Sequence, residues 1–354
     1  EHDLSELTYF DESYLCEDCL RRETFICRDC GDRHWNDDSA DGDLCQTCYD
    51  EDYVRCERCD AVIHYDDACY HEDEEYHDHP YCRDCFDMDE IIHDYYYKPE
   101  PIFYGDGPRY LGVELELDDG GENEFCASKL LDIANAQKEH MYIKHDGSLD
   151  DGFECVTHPM TLDYHINQMP WRAILNKAVA KGYLSHQAGT CGLHVHISRN
   201  ALGANYEEQE ATIAKILYFY EKFWNEILTF SRRTESQAEH WARRYGGGII
   251  NPKETLKHAK NSHMGRYAAV NLENEATIEM RIFRGTLKYN TFIATLQMVD
   301  EICKVAISLS DEFMQGLTWL DFVKGIADGK QELINYLKEK RLYVNEPIRN
   351  EVEI

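Results

Sequence analysis

Five Cys-x-x-Cys pairs crowd the first quarter of this 354-residue chain: Cys16/Cys19, Cys27/Cys30, Cys45/Cys48, Cys56/Cys59 and Cys82/Cys85. Two residues between thiolates let a knuckle turn aim both sulfurs at one ion, and two knuckles complete a tetrahedron. The stretch is therefore expected to fold around zinc rather than around an apolar core. Eleven of the 15 cysteines precede residue 90. Their regular pairing suits metal binding in a reducing compartment better than disulfides. The other four, Cys126, Cys155, Cys191 and Cys303, are scattered and read as buried thiols.

The segments repeat. Phe25-Ile-Cys-Arg-Asp-Cys is echoed by Val54-Arg-Cys-Glu-Arg-Cys, each followed by a His-aromatic pair (His34-Trp35, His64-Tyr65) and an Asp-Asp pair (Asp37-Asp38, Asp66-Asp67). Each unit closes with a second knuckle, Leu44-Cys-Gln-Thr-Cys-Tyr or Tyr81-Cys-Arg-Asp-Cys-Phe. This predicts two structural Zn²⁺ sites, Cys27/Cys30 with Cys45/Cys48 and Cys56/Cys59 with Cys82/Cys85. Cross-braced pairing of alternate knuckles is the alternative. Cys16 and Cys19 match a closing knuckle and are candidate ligands with partners elsewhere. The His/Asp/Glu stretch from Cys69 to His79 reads as a solvated hairpin tip, with a further metal as the alternative. The arrangement resembles zinc-ribbon and LIM-like modules.

Charge follows the same division. Residues 1–100 hold 32 Asp/Glu against 8 Lys/Arg, a net of -24 out of -32 for the chain, leaving -8 for the rest. So acidic a field argues against a nucleic-acid partner, because phosphates need Lys and Arg. It serves solubility or docking to a basic protein partner. No apolar run is long enough to span a membrane. No charged start followed by an apolar stretch marks a secretory signal, so a cytoplasmic location is the expectation.

Beyond the zinc region (1–95), Tyr95-Tyr-Tyr-Lys-Pro-Glu-Pro reads as the start of a linker (96–107), since Pro99 and Pro101 end regular structure. The remainder, 108–354, alternates strand-like and helix-like stretches, an α+β pattern. Helical periodicity is clearest at 124–138, 163–182, 206–232, 290–309 and 330–340.

Three strands share one design. In Leu111-Gly-Val-Glu-Leu-Glu-Leu the apolar residues alternate with Glu114 and Glu116. In Gly192-Leu-His-Val-His-Ile-Ser, Leu193, Val195 and Ile197 oppose His194 and His196; in Thr277-Ile-Glu-Met-Arg-Ile, Ile278, Met280 and Ile282 oppose Glu279 and Arg281. A period of two puts each polar pair on one sheet face. Gly152-Phe-Glu-Cys-Val-Thr adds Glu154. An exposed face would favour Lys, Thr and Gln. Carboxylates with one imidazole suit Mg²⁺ or Mn²⁺, and a nearby Arg suits phosphate or a developing anion. Together they describe a phosphoryl-transfer site.

These residues, with Lys144-His-Asp-Gly-Ser-Leu, Arg266-Tyr-Ala-Ala-Val-Asn-Leu and Ile278-Glu-Met-Arg-Ile-Phe-Arg-Gly-Thr-Leu, resemble the amidoligase family from about Arg109 to Thr286. That family is a branch of the carboxylate–amine ligases with the glutamine synthetase-like fold. The resemblance implies an antiparallel sheet cradle with flanking helices, open to ATP on one side and to the acceptor on the other. It implies an acyl phosphate made from ATP and a substrate carboxylate, then displaced by an amine to leave an amide or isopeptide bond. It gives Glu114, Glu116, Glu154 and His194 to metal binding, with Glu279 bridging metal and phosphates and His196 contacting nucleotide phosphate. Arg281 steadies the transferring phosphoryl group, and Arg266 and Arg284 hold phosphate or substrate carboxylate. Lys144, Asp146 and Ser148 shape the substrate side. Asp146 is a candidate proton acceptor for the amine, its alternative being a plain Asp-Gly turn.

Glutamine synthetases carry a second spaced carboxylate where this chain offers Asp146, Asp150 or Asp151, so the number of metal ions stays open. No ammonia-closing flap is recognisable, which favours an organic amine. The first reading is therefore an ATP-dependent ligase acting on a peptide, protein or cell-wall fragment, with the zinc module recognising substrate or partner. A metallohydrolase using His-x-His and the carboxylates to activate water is the second. A zinc-module adaptor carrying a degenerate ligase domain is the third.

Overall fold

The computed structural model describes residues 7–70, 79–86, 91–246, 251–262 and 264–344. The chain divides into two compact units, Glu1–Glu90 and Ile91–Ile354.

In the first unit the sequence repeat is a structural repeat. Hairpin Thr24–Ile26/Arg33–Trp35 runs into a 3-10 turn at Asn36–Asp38, and hairpin Tyr53–Arg55/Val62–His64 into one at Tyr65–Asp67. Both Asp-Asp pairs therefore sit in the same tight turn. Closing knuckles open short helices, Gln46–Asp52 and Arg83–Phe86. Cys16/Cys19 does the same at Glu17–Glu23, where the Cys16 sulfur accepts from the Cys19 N–H at 3.4 Å. Of the stretch from Cys69 to His79, residues 71–78 lie outside the described residues.

The second unit is built on a seven-stranded sheet. Its strands are β1 (Ile92–His93), β2 (Leu111–Leu117), β3 (Met141–Lys144), β4 (Phe153–Thr157), β5 (Leu193–Ser198), β6 (Val270–Asn271) and β7 (Thr277–Met280), in spatial order β6-β7-β5-β2-β4-β3-β1. The expected antiparallel sheet is corrected to a mixed one: β1 joins β3 in parallel, while the other pairings are antiparallel. A parallel partner is possible here because a long connection separates β1 from β3. Ile92 and His93, expected in the zinc region, belong to this sheet. The stretch expected as a linker also packs down. Tyr104 is buried and its hydroxyl donates to the Glu139 carbonyl at 2.8 Å.

One face of the sheet is apolar throughout. Leu111, Val113, Leu115, Leu193, Val195, Ile197, Ile278 and Met280 join a single core with the helices. The long helix Tyr289–Ser308 is buried around most of its circumference, so its sequence is apolar well beyond one stripe. Two helices expected to be continuous are interrupted. Pro170 separates Leu162–Asn167 from Trp171–Ala180, and Phe223 separates Tyr206–Lys222 from Trp224–Ser231. A proline has no N–H to continue the ladder, which accounts for the first break. Helices Glu235–Trp241 and Pro252–Asn261 were not read from periodicity. None of the helices described is long and apolar enough to cross a membrane.

Candidate metal centres and active site

Both four-cysteine sets come together as the repeat predicted. Cys27, Cys30, Cys45 and Cys48 form one cluster and Cys56, Cys59, Cys82 and Cys85 the other, each with its sulfurs within 4.8 Å of one another. At a Zn–S distance of 2.3 Å a tetrahedral site has edges of about 3.8 Å. Cys59 Sγ and Cys82 Sγ stand 3.8 Å apart. The cross-braced alternative falls away, and these clusters fit a zinc-binding module. Backbone N–H groups prepare the thiolates: burial pushes the Cys27 thiol up, yet donors at Cys45, Asp29 and Cys30 bring it down to about 6. Among the described residues no metal cluster includes Cys16 and Cys19.

In the second unit, strand register assembles the polar face of the sheet. Across β3, β4 and β2 one row runs Lys144, Glu154, Glu116. In the next, Glu114 faces His194, and in the third His196 faces Glu279, which in turn faces Asn271. Residues some 170 apart in sequence thus share a patch because each occupies the polar phase of its strand.

His194 is the centre. Its Nδ1 lies 3.3 Å from Glu114 Oε2 and 3.6 Å from Glu279 Oε1, and its Nε2 lies 3.5 Å from Glu116 Oε1. Two metal-competent triads share it, Glu114/His194/Glu279 and Glu116/Glu154/His194, each with one ligand atom per residue inside 4.8 Å. An ideal Mg²⁺ octahedron is about 4.2 Å across, so small side-chain adjustments would close either triad on a hard cation. Glu279 is fixed on both oxygens, accepting from Arg281 Nη1 at 2.5 Å and from Asn271 Nδ2 at 2.8 Å. Lys144 pairs with Glu154 at 3.2 Å, with both side chains buried.

The carboxylates differ electrically. Burial raises Glu114, but the His196 and His194 imidazoles outweigh it and hold the group well below the usual range. His196 Nε2 is 3.0 Å from Glu114 Oε1. Glu116 is raised by burial. Glu154 is raised well above the usual range by burial and by the charge of Glu114, against the pull of Lys144. Crowded buried carboxylates raise one another in this way when no cation lies between them.

These groups floor a cleft of about 640 Å³, the size of a typical small-molecule site. Asp146 and Ser148 line it, with the Asp146 carboxylate accepting from the Ser148 N–H at 2.8 Å. Asp150 and Asp151 do not line it. Their N–H groups are taken up by the Asp118 carboxylate, at 3.2 and 2.7 Å, in an anchor for the loop. Arg266 lines the cleft and donates to the Tyr95 and Tyr267 hydroxyls. Arg284 does not line it: its backbone forms an isolated bridge to Gly192, and its N–H donates to the Ser231 carbonyl at 3.1 Å. Burial pushes the Cys191 thiol up to about 12, consistent with a structural residue.

Sequence reasoning missed Arg233, Asn271 and Tyr142 as lining residues. Asn271 belongs to Arg266-Tyr-Ala-Ala-Val-Asn-Leu, and that motif was the available signal. Arg233 follows a helix end and had none. It is 6% exposed, and burial brings its guanidinium down to about 10.

With this geometry in hand, residues 132–303 match the family model described as a putative amidoligase enzyme. No curated protein sequence matches the chain. Among solved structures, a bifunctional glutathione synthetase from Pasteurella multocida is similar at 13% identity with a TM-score of 0.34. The match covers 68% of this chain and 45% of that one, so the chain spans less than half of that enzyme's length.

Proposed function

We propose that the second unit is an ATP-dependent carboxylate–amine ligase with a glutamine synthetase-like cradle. The observation that carries this reading is the convergence of Glu114, Glu116, Glu154, Glu279 and His194 on one buried sheet face, with Arg281 bound directly to Glu279. Seven carboxylates line the cleft, Glu114, Glu116, Asp146, Glu154, Glu273, Glu275 and Glu279, against five cations, Lys98, Lys144, Arg233, Arg266 and Arg281. That excess of negative charge calls for divalent cations, and oxygen-rich ligands suit Mg²⁺ or Mn²⁺. Such an ion would neutralise the phosphates of ATP and polarise the transferring group.

The chain's own residues then divide the work. A substrate carboxylate oxygen attacks the γ-phosphorus, the β–γ bridging P–O bond breaks, and ADP leaves. Arg281, held by Glu279, faces the developing charge. His196, Arg266 and Lys144 serve the nucleotide phosphates. An amine attacks the acyl carbon, the bond to phosphate breaks, and the amine proton passes to Asp146. Arg284 has no part in this reading. The zinc module, with its acidic surface, recognises substrate or a basic partner.

The test is release of ADP and phosphate that requires both a carboxylate and an amine. A mass-spectrometric search for water-loss products in lysate supplied with ATP finds the substrates. Turnover that survives complete removal of ATP would overturn the ligase assignment and favour metal-dependent hydrolysis.

A further inference from the structure

Two edges of the sheet meet across the cleft through one tyrosine. Tyr95 lies just past the edge strand β1, and Arg266 lies in the 3-10 turn Gly265–Tyr267, just before β6 at the opposite edge. Both line the cleft, and Arg266 Nη1 donates to the Tyr95 hydroxyl. The Tyr95 ring also stands 5.4 Å from Lys144 Nζ, on β3. That is within cation–π reach. Tyr95 thus touches two cations that the cleft presents from opposite sides.

The way Arg266 is held matters for what it can bind. Its Nη2 donates to the Tyr267 hydroxyl at 3.2 Å, and its guanidinium lies 5.9 Å and 5.2 Å from the Tyr95 and Tyr267 ring centres. Among the described residues no carboxylate pairs with it. Arg281 and Lys144, by contrast, each sit on a carboxylate, Glu279 and Glu154. Arg266 is exposed, and a free arginine carries about 2 kcal/mol of rotamer entropy that gripping a ligand removes. Neutral phenols fix its geometry beforehand and leave its charge for an anion.

The segment that brings Tyr95 here is tied at its ends. Ile92–His93 pairs with β3, while the Ile102 N–H donates to His158 Nδ1 at 3.2 Å and the Tyr104 N–H to the Pro159 carbonyl at 3.0 Å. Between these ties Pro99 and Pro101 have no N–H to donate. Tyr95 also precedes every motif on which the family resemblance rests.

We propose that Tyr95 is a positioning residue, a latch that fixes Arg266 and Lys144 so that both address one phosphate chain. This rests on the ligase reading, in which both cations serve the nucleotide phosphates.

The experiment uses the full zinc-loaded chain and calorimetry with two probes, ATP–Mg²⁺ and inorganic triphosphate–Mg²⁺. Tyr95 is 37% exposed, so replacing it empties no core. Tyr95→Phe removes the hydroxyl and keeps the ring, and affinity for both probes is expected to fall about 3–10-fold. Tyr95→Leu removes the ring face as well and falls further. A double-mutant cycle separates positioning from packing. In an Arg266→Met background, Tyr95→Phe is expected to change affinity by less than about 2-fold, because the hydroxyl has no guanidinium left to hold. Equal losses in the two backgrounds, or full affinity in Tyr95→Phe, overturn the inference. If wild type binds triphosphate but not ATP, the ligase reading falls, and the cycle measured on triphosphate still decides the role of Tyr95. If wild type binds neither probe, both fall.

Discussion

Arg281, one residue past the end of β7, and Glu279 on that strand are joined by a 2.5 Å hydrogen bond on the polar face of the sheet. The bond puts a fixed cation beside a metal-competent carboxylate, the pairing that phosphoryl transfer requires. Glu279→Gln keeps the shape and removes the charge. ATP turnover is expected to fall by about 10²-fold or more, with an unchanged far-ultraviolet circular dichroism spectrum. Full turnover in this variant would sink the metal-site assignment.

Gly192→Ala tests the same site from its backbone. The added methyl would collide with His194 Nε2, the atom that faces Glu116. Displacing a ligand's supports costs about 10–100-fold in metal affinity. Mn²⁺ titration followed by electron paramagnetic resonance is expected to register that loss, and an unchanged affinity would contradict the central role given to His194.

Zinc should hold the first unit together. Its buried apolar clusters among the described residues are Cys27, Leu44, Cys45 and Cys48, and Cys56, Tyr81 and Cys85. Most of these are ligands, so little core remains without the ion. Elemental analysis is expected to lose one zinc per chain on Cys27→Ser and one on Cys56→Ser. Strong chelation should open the first unit to protease while the second resists.

His165 sets a pH limit on the second unit. It is fully buried, with Nε2 donating to the Leu111 carbonyl at 3.0 Å and Nδ1 accepting from Trp171 Nε1 at 3.3 Å. Burial lowers its pKa from 6.5 to about 4. Between these values the unfolded chain takes up a proton that the folded chain refuses, so stability falls as pH drops from 6.5 towards 4 and the effect levels off below. The full contribution is on the order of 3 kcal/mol. Urea midpoints measured across this range should fall less steeply for His165→Gln than for wild type. Parallel slopes would refute the assignment.

Local chemistry made much of this legible. Cys-x-x-Cys spacing and the repeated His-aromatic and Asp-Asp pairs defined the zinc pairing, because a knuckle is a local turn and its repeat is countable. Strict alternation placed Glu114, Glu116, Glu154, His194, His196, Glu279 and Arg281 on one face, because strand geometry alone separates odd from even positions. Five helical stretches were legible from periodicity, whereas Glu235–Trp241 and Pro252–Asn261 were not, and the breaks at Pro170 and Phe223 were smoothed over by apolar patterns that continue across them.

The tertiary structure decided what depends on strand order and on the ends of strands. Ile92–His93 enters the sheet in parallel through pairing with a strand some 50 residues on, a non-local choice that no local pattern encodes. Arg284 lies three residues beyond Arg281 in the same motif, yet only Arg281 lines the cleft, because β7 ends at Met280 and the alternation that places Arg281 does not carry on to Arg284. Arg233 sits on no patterned strand, and only the fold brings it to the lining of the cleft. Residue types and their phase are properties of the chain, whereas which charges are buried together is a property of the strand order that surrounds them.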